Sequence, residues 1–521
     1  LPKHSANRLP FRWWPGAAIL VLVEAAVTAL WSPQIPNRDQ SVMWSVITLS
    51  TSPILILLWL LAFSRLPVKH RLLASGGFIL FLGILFSLIR ITGVSGDFVP
   101  TLGWRIGSAP DVDQVSSTAS KSGTDSKGTT PRYPQFLGPD RNAKLPDVHL
   151  ETDWEIHPPR LLWRQPIGAG WSAFAVSGQF AVTQEQHGEE EQVVAYDLTS
   201  GKVRWRHSDR AAFRTTTGGD GPRATPTISA DRVYTYGATG ILNCLELDTG
   251  DLVWTSNTLE ENGAKITDWG MAGSPLVLGE KVIVSPGGPG GKSLVAYHKD
   301  TGAFLWGGGD THAGYSSPSL GKIAGTDQIL IFNKAQISAH VPETGRVLWQ
   351  FPWEAGFTIQ HVAQPLPLPG DLVLASTGYG IGSVLLHIAS NDRSELSASV
   401  VWRSPRLQAK FTNFVHRDGY IYGLDNGRLA CLDVKDGQRK WKQGRYGHGQ
   451  LILVDDILLI LGESGEVILV DANPEGFNER ARFQAIEGKT WNNPALAGKY
   501  LLVRNSREAA CYEVNIKAEL E

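Results

Sequence analysis

Hydrophobic and polar positions divide the 521-residue chain into two regimes. In the first hundred residues the apolar positions run together, over 15–31, 42–63 and 72–90. The second and third runs are long and clean enough to predict helices that cross a bilayer. The first is shorter and holds Glu24, so it reads either as a span or as a secretion signal, with Glu24 a tolerated residue in an anchor. From about residue 160 onward the apolar positions come in short stretches of strand length. They are separated by Gly, Asp-Gly and Thr-Gly pairs that predict tight turns between β-strands.

Within that second regime one spacing returns. A small residue is followed by Gly six positions later and by Trp four after that. It occurs at Ala195/Gly201/Trp205, Cys244/Gly250/Trp254, Ala296/Gly302/Trp306, Ala339/Gly345/Trp349 and Cys431/Gly437/Trp441. Each copy predicts two strands joined by a turn, with Gly supplying the positive φ of a bulged hairpin. A Trp on the outer strand is too large for one small sheet to cover, so it must pack against the next repeat. Looser copies end at Trp402 and at Phe483, where Phe replaces Trp. Trp163 lies on a lone strand before the first complete repeat, and residues 491–514 form a repeat that stops before its own outer strand. Joining these two ends closes a ring and removes two open sheet edges. The expected fold is therefore all-β, an eight-bladed propeller of four-stranded blades over 161–521, with seven blades as the alternative count.

The Ala-x5-Gly-x3-Trp spacing resembles the tryptophan-docking motif of quinoprotein alcohol dehydrogenases and the wider family of PQQ-binding-like propeller repeats. Residues 134–160 include the stretch Pro134–Asn142, which resembles the lead-in before many such repeat domains and is expected to pack on the propeller's flank. Residues 105–133, rich in Ser, Thr, Asp, Lys and Gly, read as a flexible linker from the membrane anchor of residues 1–104.

Charge sets the orientation. Residues 1–104 hold eight Lys and Arg against three Asp and Glu, leaving −7 for the remainder of a chain whose total is −2. Lys3, Arg8 and Arg12 precede the first run, and Arg65, Lys69 and Arg71 separate the second from the third. By the positive-inside rule the N-terminus is cytoplasmic and the propeller lies outside the cytoplasmic membrane, in the periplasm. The mildly acidic body gives no basis for nucleic-acid binding. Cys244, Cys431 and Cys511 fall in separate repeats, which predicts small buried residues without disulfides.

Aligning the inner strands brings Ser172, Thr225, Ser274, Ser317, Gln364, Thr412, Gly449 and Asn493 to one position, expected to face a wet central channel. Two residues earlier, on the same strand face, come Arg223, Tyr315, Lys410 and Trp491, with Trp269, His361 and His448 close in sequence to that rim. Cations beside aromatic faces suit a flat anionic ligand. The resemblance implies PQQ, a planar tricarboxylate stacked on a Trp (Trp269 or Trp491) with Ca²⁺. Asp220, Asp268, Asp310 and Glu354 are the candidate oxygen ligands, one of them serving as base. The chain departs from the dehydrogenases in having no adjacent cysteine pair and no matching Glu–Asn–Asp calcium set. Gly287–Ser293 is one residue short of a phosphate-binding P-loop, and no His-Glu-x-x-His or Cys-x-x-Cys-His occurs. Two functions follow. One is a membrane-tethered propeller that binds envelope proteins or polymers. The other is a PQQ- and Ca²⁺-dependent dehydrogenase acting on an alcohol or sugar.

Overall fold

A computed structural model describes residues 12–32, 38–105, 130–353, 361–391 and 395–517. The chain forms two compact units, Leu1–Asp111 and Val112–Glu521. The first contains helix α1 (Trp14–Leu30), helix α2 (Arg38–Leu58) continued by a π-helical turn at Trp59–Phe63, and helix α3 (Val68–Leu88). Two helices, Gln40–Phe63 and Val68–Leu88, are long and apolar enough to cross a membrane. The first apolar run makes only the 17-residue α1, short of that length. The third helix begins and ends earlier than 72–90. Ile89 is already extended, and strand β1 (Ile89–Val94) pairs with strand β2 (Pro100–Trp104), a hairpin that the apolar run alone does not reveal.

The second unit contains eight sheets among the described residues, seven of them built on four consecutive antiparallel strands. The first and seventh gain a fifth strand from Arg132–Tyr133 and Lys144–Leu145. The eighth takes its outer strand from Arg160–Pro166, which pairs with Glu508–Glu513. Cys511 there faces Trp163, as Ala195 faces Trp205 and Cys244 faces Trp254. A β-bulge follows each of these pairs, at the seam as well as beside the Gly-containing turns. The bidentate pair of Arg164 with Glu508, at 2.7 and 2.8 Å, crosses the seam where the two ends of the unit meet. All three cysteines are free and buried.

Successive sheets are joined by their Trp residues. The indole N–H of Trp163 donates to Leu198 O, Trp205 to Leu247 O, Trp254 to Lys299 O, Trp402 to Val434 O and Trp441 to Asn473 O, each in the following sheet. Trp349 instead uses Gln328 of its own sheet. The following repeat has no turn Gly, its turn being expanded around 391–395. The seventh sheet departs from expectation. Its register sets Ala481, not Phe483, opposite Leu469 at the position Trp holds elsewhere. Phe483 lies two residues further on, where Trp154 of the lead-in packs edge-on against it at 5.3 Å and Tyr512 at 4.9 Å.

The small polar residues of the inner strands do not face a wet channel. Ser172, Thr225, Ser274, Ser317 and Thr412 are buried, and most bond to the neighbouring sheet. The amide of Ala173 donates to Thr225 Oγ1, that of Thr225 to Ser274 Oγ and that of Ser274 to Ser317 Oγ. Ser317 N–H then donates to Gln364 Oε1, and Gln364 N–H to Asn413 Oδ1. The belt continues through Gln450, which donates to Phe411 O and Trp491 O. It returns to the first sheet when Asn492 donates to Ser172 O. An inner strand in a converging array has amides with no fifth strand to bond, and a short side chain from the neighbour supplies the acceptor. The residues used in the sixth to eighth sheets, Asn413, Gln450 and Asn492, lie one position from the aligned Thr412, Gly449 and Asn493. There a longer amide side chain does the reaching.

The lead-in is not a flank arm. Tyr133 and Arg132 pair with Val176 and Ser177 of the first inner strand, and Ile228 N–H donates to Pro134 O. Lys144 and Leu145 lie parallel to Leu453 and Val454 of the seventh. Between them, the buried Arg141 guanidinium donates to Ser274 O, Pro275 O and Pro318 O at 2.9–3.0 Å. Residues 132–145 thus run from the first inner strand to the seventh, meeting both near the C-terminal ends of those strands. Burial pushes Arg141 down to about 9. The carbonyls that hold it are those of Ser274 and of the inner-strand prolines Pro275 and Pro318.

Candidate functional site

The loops entering the N-terminal ends of the inner strands gather at the other end of the channel, and an aromatic and cationic cluster forms there. Its first half surrounds the loop 213–223. Arg223 turns back onto that loop, donating to the carbonyls of Gly218, Gly219 and Gly221, with its guanidinium 4.7 Å over the Phe213 ring. Trp269 packs at 5.3 Å on Tyr315, and its indole N–H reaches Thr217 of the same loop at 3.1 Å. The Tyr315 hydroxyl accepts from Trp269 N–H. Burial pushes Arg223 down to about 10, opposed by Glu191. Burial also raises the Tyr315 phenol.

The second half is built on Trp491. Its ring lies 4.8 Å from both Trp171 and Phe411, and its indole N–H donates to Glu463 at 2.9 Å. Lys489 Nζ sits 4.2 Å over the Trp491 ring and 5.2 Å over that of Trp171. Burial lowers Lys489, opposed by Glu463. His448 completes the group, its amide donating to Glu463 Oε2 and its ring 5.3 Å from Phe411. Trp171 links the halves by donating to Gly218 O at 2.6 Å.

The predicted rim residues are therefore brought together unequally. Arg223, Trp269 and Tyr315 share one cluster, and Trp491 the adjoining one. Lys410 is fully buried, its ammonium 5.3 Å over the Tyr379 ring. His361 is buried against Phe332 at 4.1 Å, and burial pushes it down to about 4. The acidic candidates do not converge. Asp220 caps its own loop by accepting from Thr215 N–H, and Asp310 accepts from Gly290 N–H of an earlier loop. Asp268 is exposed, and Glu354 lies outside the described residues. Among the described residues the acidic group close enough to share an ion is Glu280, His298 and Asp300, on the third sheet. There Lys299 pairs with Glu280 at 3.0 Å, and His298 Nδ1 accepts from the Asp300 amide.

These residues do not build a slot for a planar tricarboxylate and its calcium. Trp491 is flanked by two rings and an ammonium, Trp269 lies between Tyr315 and the Gly218 backbone, and Arg223 is engaged by three carbonyls. Strand alignment misses Trp171, which falls between the aligned Gly170 and Ser172, and it misses Phe411, Glu463 and Lys489. The signal that could have found Lys489 is its place two residues before Trp491, at a separation that lets an ammonium reach the ring.

A family model described as outer membrane protein assembly factor BamB matches residues 156–267 and 189–443, more than half of the chain. The chain belongs to this family. Its repeats are those of the PQQ-like β-propeller, as the Gly-x3-Trp spacing leads one to expect. A curated member, the outer membrane protein assembly factor BamB of Moranella endobia (strain PCIT), is 19% identical over 264 residues. That match takes in 47% of this chain and 64% of the relative, less than two thirds of its length. Among solved structures, the quinohemoprotein alcohol dehydrogenase from Comamonas testosteroni superposes with a TM-score of 0.52 at 14% identity, over 75% of this chain and 82% of that one. The quinohemoprotein alcohol dehydrogenase ADHIIG from Pseudomonas putida HK5 gives 0.51 at 12% identity, over 75% and 81%. At such identities these two likenesses show the fold alone.

Proposed function

We propose that the family member described here is a membrane-tethered, extracytoplasmic scaffold. In this reading the eight sheets are the blades of an eight-bladed propeller, and the aromatic mouth is the face that recognises envelope proteins. The helices of the first unit anchor it in the cytoplasmic membrane with the N-terminus inside, as the Lys and Arg flanking the apolar runs suggest. The observation that carries the reading is the state of the mouth. Its cations and indoles are already bonded to protein, while Trp171, Trp269, Trp491 and Phe411 stay partly exposed. Rigid, half-exposed aromatic rings with fixed polar tips suit protein recognition. Residues 132–145 lie against the opposite, C-terminal ends of the first and seventh inner strands, so this reading takes the mouth as the recognition face. The assembly-factor description of the family and of the Moranella relative supports partners in the outer-membrane assembly machinery.

A photo-crosslinking residue placed at Trp171 in the full chain in membranes is expected to capture a reproducible envelope protein. The same residue at Lys281, on the third sheet, is expected to capture none. Equal capture at both positions, or none at either, would overturn the reading. The alternative, PQQ- and Ca²⁺-dependent oxidation of an alcohol or sugar, draws on fold likeness alone. Adding PQQ and Ca²⁺ to the detergent-solubilised chain with a dye acceptor is expected to give no turnover with alcohols or sugars.

A further inference from the structure

Helix α3 has 21 residues, so at about 1.5 Å per residue it is about 31 Å long. That is close to the hydrocarbon thickness of a bilayer, about 30 Å. Lys69 and Arg71 lie at its start. At its end, Leu88 passes with no intervening residue into β1. Arg105 fixes the root of the hairpin there, its amide donating to Leu88 O at 2.8 Å and its Nε to Ile89 O at 3.2 Å. The hairpin therefore begins where the hydrocarbon ends.

Directly opposed residues of an antiparallel pair share a face, and successive residues alternate faces. Ile89 faces Trp104 and Ile91 faces Leu102, so these four make one apolar face, while Arg90 and Gly103 lie on the other. That face is uncovered in the first unit: Ile91 is 58% exposed, Leu102 62% and Trp104 67%. A two-stranded hairpin is marginal in water by itself, and an open apolar face makes it more so. A lipid interface meets all three conditions. It covers the apolar face, it suits Trp at headgroup depth, and it leaves Arg90 and Arg105 within reach of lipid phosphates.

We infer that the β1–β2 hairpin is a lipid-binding element whose Ile89/Ile91/Leu102/Trp104 face lies in the headgroup–acyl boundary of the bilayer that α3 crosses. The inference rests on the membrane-spanning reading above. The hairpin then holds the start of the linker at the membrane surface.

The test uses the full chain in vesicles of phosphatidylcholine and phosphatidylglycerol, with one nitroxide label at Leu102→Cys, Thr101→Cys or Ile84→Cys. The native cysteines are buried, so labelling is selective. Collision rates with oxygen and with a water-soluble nickel chelate report depth. Ile84→Cys in α3 should favour oxygen strongly. Leu102→Cys should favour oxygen several-fold more than Thr101→Cys on the opposite face. If position 84 favours oxygen while 102 and 101 both favour nickel, the hairpin stands in water and the inference fails alone. If position 84 also favours nickel, the spanning reading fails and takes the inference with it. Dipolar broadening at 102 in lipid-diluted samples would assign the face to a second copy instead, which also overturns it.

Discussion

Trp205 of the first sheet donates its indole N–H to Leu247 O of the second at 2.7 Å, and its ring lies flat against Gly250. A Cβ added at Gly250 would sit 2.5 Å from that ring, on a backbone whose φ is +78°. The same relation joins Trp163 to Gly201, Trp254 to Gly302, Trp306 to Gly345 and Trp402 to Gly437. The eleven-residue motif thus contains two halves of different contacts. Its Gly receives the Trp of the preceding repeat, and its own Trp goes on to the next.

Trp205→Ala should cost about 3–5 kcal/mol, the range for a buried aromatic truncation. Gly250→Ala should cost about 1–3 kcal/mol through overpacking against the same ring, added to its left-handed backbone. The two losses should fall well short of additive in the double variant, because they remove one contact. Denaturant titration of the three variants measures this, and additive losses would separate Gly250 from Trp205.

Ser274 is a belt residue, accepting from Thr225 N–H while its own amide donates to Ser317 Oγ. Ser274→Ala leaves the Thr225 amide buried without an acceptor, at a cost of about 1–3 kcal/mol. Hydrogen exchange at Thr225 should accelerate in that variant. Unchanged exchange there would mean that water replaces the hydroxyl, as in a wet channel.

Arg141→Ala should destabilise by about 3–5 kcal/mol, more than the belt change and comparable to Trp205→Ala. It strips donors from three buried carbonyls at once. Arg141→Lys should recover only part of this, since one ammonium does not match a fork that reaches two sheets. A full rescue by Lys would show that the charge matters and the geometry does not.

Glu191 supplies a pH test. Burial pushes its carboxyl up from 4.5 to about 7, against the Ala238 amide and Arg223, with Asp209 opposite it adding to the rise. A raised folded pKa means that its contribution is full below pH 4.5 and is lost as pH climbs through 7. At pH 8 the penalty is at most about 3 kcal/mol, from the conversion of about 1.4 kcal/mol per unit. Glu191→Gln keeps an acceptor for the amide and removes the ionisation. It should match the wild type near pH 4.5 and exceed it by up to that amount at pH 8. Parallel stability profiles across this window would exclude the effect.

How much of this was legible in the chain follows from which contacts are local. The Gly–Trp spacing is a local hairpin property, so the repeats and the pairing of Trp163 with the final strands could be read directly. Phe483 is the nearest aromatic to the expected anchor, but the register and bulge are those of the other repeats and put the small Ala481 at the anchor position. The belt was seen as polar residues but taken for a channel surface, since sequence does not show that a neighbour's amide waits opposite each hydroxyl. Arg141 and Trp154 could not be found by repeat alignment at all, for they lie outside every repeat. The mouth was half legible. Strand alternation gave Arg223, Tyr315 and Trp491, but loop-borne partners such as Glu463 depend on folds of the chain that carry no period.

The strand 160–166 finds its partner only in residues 508–513. During synthesis the first complete sheets must therefore wait, with one flank bare, until residues 508–513 have arrived. Cooperative locking is then the last event, and any agent that captures the chain before it can hold an unclosed arc. A lesion in either strand should show itself less as lost affinity at the mouth than as a longer-lived, protease-sensitive precursor.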